Sequence, residues 1–193
     1  MICVDPGHGM SNRRWGVYDP GAVWEEDGQR FEEAAIALQY GLALRDALRG
    51  VGHAVFMTRD DALDHAPVGQ RAANARALGA QAFVSLHLNS AGKPDGSVDD
   101  AAHGVETLVR DAGGVAFART LNAAVVGATR LGDRGVRERQ DLAVLGFAGP
   151  VALLELGFLP NDRDRHTLLN PAIRHAVAQA LAQAIAGFVP APR

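Results

Sequence analysis

Three short, mostly apolar runs constrain the fold more than any other feature of this sequence. They cover residues 2–4, 82–88 and 151–156. Near-continuous apolar runs of this length are typical of strands that are buried on both faces, as in parallel sheets. Helical patterns occupy residues 31–49, 68–78, 115–129 and 171–188. Because strands and helices alternate along the chain, the sequence predicts an α/β domain with a largely parallel central sheet.

The connecting segments complete this prediction. Residues 54–58 and 105–109 have the short apolar patterns of two further strands. Residues 10–30 and 90–103 are polar and contain Gly and Pro, so we expect long loops there. We expect the first helix to begin near Asp27-Gly28. A chain of 193 residues with no repeat and no linker suits one domain.

The charge balance and the single cysteine exclude several classes of protein. Nineteen Lys and Arg residues against 22 Asp and Glu residues give a net charge of −3, without the basic excess of nucleic-acid-binding proteins. The longest uncharged apolar stretch is too short to cross a bilayer, so we expect no membrane insertion. Cys3 alone cannot form an intrachain disulfide, and we interpret it as a small buried side chain.

Polar side chains interrupt the three apolar runs near their ends. His8 follows the first run, His87 lies at the end of the second, and Glu155 lies at the end of the third. In open α/β sheets, ligands bind outside the carboxyl ends of the strands. Two imidazoles and a carboxylate at one edge indicate a metal site with a general base. A structural role remains open for each residue alone, with Arg59 or Arg71 as a buried partner for Glu155.

A catalytic zinc needs a third protein ligand, and Glu32 and Glu33 are the candidates near the start of the first helix. On a helical wheel, Glu33 shares a face with apolar residues four, seven, eleven and fifteen positions later. Glu32 shares a face with Gln39 and Asp46, which is typical of a solvated surface. The wheel therefore favours Glu33, although a first-turn acid that stabilises the helix N-terminus is an alternative interpretation.

The candidate residues belong to a series of short motifs along the chain. In order these are Asp5-Pro6-Gly7-His8-Gly9, Asp19-Pro20-Gly21-Ala22, Glu33, Thr58-Arg59, Ser85-Leu86-His87-Leu88-Asn89 and Leu154-Glu155-Leu156-Gly157-Phe158-Leu159. Their order and spacing are specific, and together they resemble the zinc-dependent N-acetylmuramoyl-L-alanine amidases of the amidase-3 type. The resemblance covers residues 2 to about 189.

The resemblance implies both a fold and a reaction. It implies a single catalytic domain over residues 1–193, with a twisted, mostly parallel mixed sheet of about six strands flanked by helices. It assigns one Zn²⁺ to His8, Glu33 and His87, with zinc-bound water as the nucleophile and Glu155 as general base and acid. The implied substrate is peptidoglycan, cleaved between the lactyl group of N-acetylmuramic acid and L-alanine of the stem peptide. Met10, Leu88 and Pro160 depart from the usual family pattern without removing a ligand.

That substrate lies in the cell wall or periplasm, yet the N-terminal residues lack the pattern of a signal peptide. We therefore expect either a leader outside this sequence or cytoplasmic storage followed by release, as for a phage lysis enzyme. The sequence does not indicate an oligomeric state. Trp15, Tyr18 and Trp24 follow His8 and form either a wall for the substrate or an anchor for their loop.

Three questions of function and site stay open at this point. A cell-wall binding module without zinc and a zinc enzyme that cleaves a different amide are the alternative functions. His103 is a weaker candidate for the edge of the site, and we expect His53, His65, His166 and His175 to be ordinary surface residues. Arg71 and Asn74 either order the edge near His87 or lie on a solvated helix face.

Overall fold

The structure, a computed structural model, describes residues 1–191, so the last two residues of the expected domain lie outside the described part. In chain order the strands are β1 (Ile2–Pro6), β2 (Gly9–Met10), β3 (Tyr18–Asp19), β4 (Val23–Glu26), β5 (Gln29–Glu32), β6 (Val55–Met57), β7 (Ala82–Asn89), β8 (Val105–Val109), β9 (Asp133–Glu138) and β10 (Val151–Phe158). The α-helices are α1 (Glu33–Gly50), α2 (Val68–Ala77), α3 (Val115–Thr129), α4 (Asp162–Leu169) and α5 (Pro171–Phe188).

Six of the strands form one mixed sheet in the order β6-β1-β7-β10-β8-β9. The first four of these strands run parallel to one another. Strand β8 is antiparallel to β10, and β9 is parallel to β8. The carboxyl ends of β1, β7 and β10 therefore lie side by side at one edge. The expected α/β fold with a mostly parallel mixed sheet is confirmed.

The two faces of the sheet are packed differently. Helices α1, α3 and α5 cover one face, where Ile2, Val4, Val84 and Leu154 belong to the larger apolar core. Helix α2 and a 3₁₀-helix, Ala143–Gly146, cover the other face over a smaller core. Because side chains alternate between faces along a strand, neighbouring residues of one strand serve both cores.

The smaller core changes from apolar to polar towards the carboxyl edge of the sheet. On β7, Phe83 lies in this core, and Ser85 and His87 follow on the same face by the two-residue period. On β10, Leu153 pairs with Ser85 and Glu155 pairs with His87. The sheet therefore brings His87 and Glu155 onto one face, just beyond the end of its apolar cover.

The segment expected to be a loop over residues 10–30 contains four short strands instead. Strands β4 and β5 form a hairpin, with Trp24 opposite Phe31. Asp27 and Gly28 form its turn with φ angles of 50° and 75°, the left-handed values that a two-residue type I′ turn requires. The expectation that Asp27-Gly28 begins the helix was therefore wrong, because an Asp-Gly pair between extended segments favours a hairpin. Helix α1 begins at Glu33.

Strand β9 and helix α4 were not predicted from the sequence. In β9 only the two central residues are half-buried, so the strand lacks an alternating apolar pattern. Helix α4 is short and polar, and Asn161 caps its first turn by accepting a hydrogen bond from the Asp164 backbone amide. Within residues 1–191, no helix combines the length and apolar character needed to cross a membrane.

Candidate metal centre

His8 lies in a tight turn directly after β1. Its φ angle is 60° and that of Gly9 is 92°, so two successive residues adopt left-handed backbone conformations. Two buried arginines fix this turn through its backbone oxygens. Arg59 donates to Pro6 O at 3.0 Å and to Gly7 O at 2.8 Å, and Arg71 donates to His8 O at 2.7 Å. Neither arginine is the partner of Glu155 that the structural alternative required.

The fully buried carboxylate of Asp5 holds one of these arginines in place. It accepts hydrogen bonds from Arg71 Nη1 at 2.8 Å and from the hydroxyls of Thr58 and Ser85 at 2.6 Å each. Burial alone would raise the pKa of Asp5, but Arg71 and the two hydroxyls outweigh it, and the pKa lies below its usual value. This network stabilises the turn that carries His8.

Both candidate histidines contact the carboxylate of Glu33. Its Oε1 atom lies 3.1 Å from His8 Nε2 and 2.8 Å from His87 Nδ1. The Leu88 amide donates to the same oxygen at 3.1 Å, and the Ala22 amide donates to Oε2 at 2.7 Å. One ligand atom from each of the three side chains lies within 4.8 Å of the others. The structure thus brings together two imidazole nitrogens and one carboxylate oxygen that could hold a divalent metal ion.

Asp19 belongs to one of the sequence motifs, but no role could be predicted for it from the sequence alone. Its Oδ2 atom lies 3.1 Å from His8 Nδ1, and Asn12 donates to the same oxygen at 2.7 Å. A carboxylate on the second ring nitrogen fixes the tautomer of a metal-binding histidine and leaves the other nitrogen free to ligate. The position of Asp19 on β3, beside β2, explains why only the folded structure reveals this contact.

Glycine is required at two positions because the backbone passes close to the candidate ligand side chains. A Cβ atom on Gly7 would lie 2.3 Å from the His87 ring. A Cβ atom on Gly21 would lie 2.5 Å from Glu33 Oε2 and 2.7 Å from the His8 ring, and Gly21 also has a φ angle of 68°. These glycines leave the space that His8, Glu33 and His87 occupy.

Opposite charges and hydrogen bonds hold Glu33 together with the two histidines. Burial would raise the pKa of Glu33, but its hydrogen bonds to His8 and His87 outweigh burial and lower the pKa well below its usual range. Burial would likewise lower the pKa of His8, but Glu33 and Asp19 raise it. A metal ion that binds at His8 must therefore compete with a proton for its ring nitrogen.

Glu155 lines the same cleft as His8, Glu33 and His87. Its Oε2 atom is buried and has no partner within the described part of the chain. Burial raises the pKa of Glu155 well above its ordinary value, and the charges of Glu33 and Glu106 add to this rise against the opposing Arg139. A carboxyl group with a raised pKa in a cleft is typical of a group that transfers protons.

A cleft of about 340 Å³ opens over these groups. His8, Glu33, His87 and Glu155 all line it, together with Arg13, Asp19, Gly21, Ala22, Leu88, Asn89 and Ser90. The four site residues predicted from the sequence therefore line one common cleft, although they come from widely separated parts of the chain.

The family model for N-acetylmuramoyl-L-alanine amidase, Amidase_3, matches residues 2–187 of this chain. This chain belongs to that family. The amidase is therefore a hydrolase, and the resemblance seen in its motifs is confirmed.

The similarity to known relatives extends along nearly the whole amidase chain. The N-acetylmuramoyl-L-alanine amidase Rv3717 of Mycobacterium tuberculosis is 29% identical, over 98% of this chain and 86% of its own. The sporulation-specific N-acetylmuramoyl-L-alanine amidase of Bacillus subtilis is 28% identical, over 95% of this chain and 66% of its own. The solved catalytic domain of the amidase CwlV from Bacillus (Paenibacillus) polymyxa var. colistinus superposes with a TM-score of 0.84 at 30% identity, covering 99% of this chain and 98% of that domain.

The aromatic residues that follow His8 lie in different surroundings. Trp15 is 71% exposed and stacks on His65, with ring centroids 4.3 Å apart. Trp24 packs against the larger core under Arg165, so it anchors the β4–β5 hairpin of the amidase. Tyr18 is half-buried on β3. None of the three lines the cleft over the candidate metal ligands.

The remaining histidines divide into one buried residue and several exposed ones. His53 is only 3% exposed, so the expectation that it lies on the surface of the amidase was wrong. The surface positions expected for His65, His166 and His175 are confirmed, and His103 is also exposed and does not line the cleft. Arg71 is buried beneath the His8 turn, whereas Asn74 is exposed on α2.

Proposed function

We propose that this chain hydrolyses the amide bond between the lactyl group of N-acetylmuramic acid and L-alanine of the peptidoglycan stem peptide, and that it depends on zinc. Residues 1–193 then act as one catalytic domain, with its site of action in the cell wall or periplasm. The observation that carries the proposal is that ligand atoms of His8, Glu33 and His87 lie within 4.8 Å of one another in the cleft that Glu155 also lines. The buried Oε2 atom of Glu155 has no hydrogen-bond partner among residues 1–191.

The donor set fits a catalytic zinc ion. Two neutral imidazoles and one carboxylate are a typical ligand set for catalytic Zn²⁺, which keeps a fourth position for water or substrate. Asp19 favours the tautomer in which His8 Nε2 is the ligand atom, because Nδ1 donates its proton to the carboxylate. Zinc in this site would supply Lewis-acid activation of a water molecule and of the scissile carbonyl group.

Glu155 moves the proton in the proposed reaction. Its carboxylate accepts a proton from the attacking water, and its raised pKa makes it a stronger base than an exposed glutamate. It then donates that proton to the departing alanine nitrogen, since an amine anion is too poor a leaving group to depart unprotonated. Arg59 and Arg71 contribute to this step by fixing the backbone turn that orients His8.

Purified peptidoglycan sacculi test the proposal directly. The zinc-loaded protein is expected to release free stem peptides with an N-terminal L-alanine, identified by mass spectrometry, and a chelator is expected to stop the release. His87→Ala is expected to lose both stoichiometric zinc and activity, while the exposed His166→Ala keeps both. Cleaved glycan strands or cleaved cross-links with intact lactyl-alanine bonds would contradict the proposed substrate bond.

Metal analysis separates the two alternative functions. A cell-wall binding module would bind sacculi and release no product, whether or not zinc is present. A zinc enzyme for another amide would contain zinc and leave sacculi unchanged. Full zinc retention in His87→Ala would show that the ligand set is wrong, even if the wild-type protein releases the expected peptides.

A further inference from the structure

A second cavity lies against the candidate metal centre and differs from the cleft in chemistry. Its volume is about 170 Å³, and it shares His8, Arg13 and His87 with the cleft. Asn12 and Arg71 contribute the rest of its polar lining. Half of its lining is apolar and consists of Val68, Leu142, Ala143, Val144 and Leu153. A lining with this many aliphatic side chains favours an apolar group and disfavours a hydroxylated one.

Three elements on the α2 face of the sheet build this cavity. Val68 comes from the first turn of α2, and Ala143 and Val144 come from the 3₁₀-helix. Leu153 lies two residues before Glu155 on β10, so the two side chains point to the same face about 7 Å apart along the strand. The cavity therefore includes His8 and His87 in its lining and lies one same-face position along β10 from Glu155.

We propose that this cavity receives the apolar side chain of the first stem-peptide residue, the residue whose nitrogen departs during hydrolysis. The inference rests on the proposed function. Glu155 must reach that nitrogen, and the side chain in question branches from the carbon directly attached to it. The muramic acid sugar carries hydroxyl and acetamido groups that would lose hydrogen bonds to water in an apolar cavity, so it belongs in the polar cleft.

The size of the cavity gives the proposal a specific consequence. An apolar cavity of about 150 Å³ in another protein holds benzene, so 170 Å³ exceeds what the methyl group of alanine can fill. Each further methylene buried in an apolar site is worth about a fourfold gain in binding. The cavity therefore admits valine- and leucine-sized side chains at the first position and favours them over glycine.

Synthetic N-acetylmuramoyl dipeptides with Gly, L-Ala, L-Val or L-Leu as the first residue test this directly. For the zinc-loaded protein we expect kcat/KM to rise from Gly to L-Ala by about fourfold and to stay at or above the L-Ala value for L-Val. Ala143→Leu fills part of the cavity from an exposed position and so leaves folding intact. It is expected to lower kcat/KM for the L-Val and L-Leu substrates by about fourfold or more, and for Gly by less than about twofold.

Ala148→Leu is the matched control, because Ala148 is also exposed and lies outside the cavity. It is expected to leave all four rates unchanged. Equal rates for the four substrates, or a uniform loss in Ala143→Leu, would overturn the inference while leaving the proposed function intact, the uniform loss indicating that the lactyl methyl group occupies the cavity. Failure of the wild-type protein to cleave any of the four would overturn the proposed function itself.

Discussion

Two carboxylates on the same face of the sheet, Asp5 and Glu155, have opposite environments. Asp5 on β1 is fully buried and accepts three short hydrogen bonds, one of them from a guanidinium group. Glu155 on β10 has a buried oxygen with no partner in residues 1–191. The pKa of Asp5 lies below its usual value, and that of Glu155 lies well above it.

The difference shows that one face of the sheet carries both a carboxylate that stabilises the fold and a carboxylate that is available for proton transfer. A satisfied carboxylate stabilises the fold and stays ionised, because each partner favours its charged form. An unsatisfied carboxylate costs stability, since burying a carboxyl group without partners is unfavourable, but it can still exchange protons. Asp5 therefore stabilises the turn that carries His8, while Glu155 keeps the reactivity that the proposed reaction needs.

Glu155→Gln is expected to have the largest effect on the reaction. The amide fits the same space but cannot accept a proton, so turnover on sacculi should fall by roughly two to four orders of magnitude. Zinc content should stay stoichiometric, because the three ligands are unchanged. The measurements are product release by mass spectrometry and metal content of the purified protein. Glu138→Gln, on the exposed edge strand β9, is the control and should retain full activity.

If Glu155→Gln retained activity near that of the wild-type protein, another residue would be the base, and the proposed division between the two carboxylates would fail. Loss of zinc in the same variant would instead show that Glu155 contributes to the metal site.

Asp5→Asn is expected to have the largest effect on stability. It leaves the buried Arg71 guanidinium without its charged partner, and breaking a buried ion pair from one side costs about 3–5 kcal/mol. Denaturant unfolding of the metal-free protein measures this directly. Asp46→Asn removes an exposed carboxylate on α1 and should change the free energy of unfolding by less than about 1 kcal/mol. A similar small change in Asp5→Asn would show that Arg71 needs only its backbone partners.

The sequence was sufficient to predict the features that depend on local patterns. The bounds of α3, α5 and β8 follow from apolar periodicity, and the structure places them where the patterns predict. The wheel also placed Glu33 on the buried face of α1, where it is 4% exposed. These features are predictable because a core-facing residue repeats with the period of its own element.

The features that the sequence did not predict depend on contacts between distant segments. Asp19 stands eleven residues from His8, and no periodicity indicates that the two meet. Arg71 is on a helix whose sequence fits a solvated face equally well, and only the fold shows that it is buried beneath the His8 turn. The hairpin of β4 and β5 was missed for a different reason, because the turn signal of Asp27-Gly28 was interpreted as the start of a helix.

Asp19→Asn is expected to have an intermediate effect on metal binding. The amide cannot accept the His8 proton as strongly as the carboxylate does, so the imidazole is less firmly oriented and a weaker ligand. Zinc affinity, measured by competition with a chelator, should fall about 10- to 100-fold. Asp46→Asn serves again as the control and should leave the affinity unchanged. An unchanged affinity in Asp19→Asn would mean that the His8 turn alone orients the ring.

The smallest expected effect is on the pH dependence of unfolding of the metal-free protein, where the two carboxylates should act with opposite sign. The pKa of Asp5 is lower in the folded than in the unfolded protein. Asp5 therefore makes its full contribution to the free energy of unfolding above the unfolded pKa of about 3.9, and this contribution is lost as the pH falls through the folded pKa. The pKa of Glu155 is higher in the folded than in the unfolded protein. Glu155 therefore makes its full contribution to the free energy of unfolding below the unfolded pKa of about 4.3, and this contribution is lost as the pH rises through the folded pKa.

Each carboxylate changes the slope of the free energy of unfolding against pH by at most about 1.4 kcal/mol per pH unit, because it exchanges one proton. Asp5→Asn should therefore flatten only the acid side of the profile, and Glu155→Gln should flatten only the side above about pH 4.3. Denaturant unfolding at closely spaced pH values separates these effects. If both variants flattened the same side, the two carboxylates would share one electrostatic environment, and the contrast between the supporting and the reactive carboxylate would not hold.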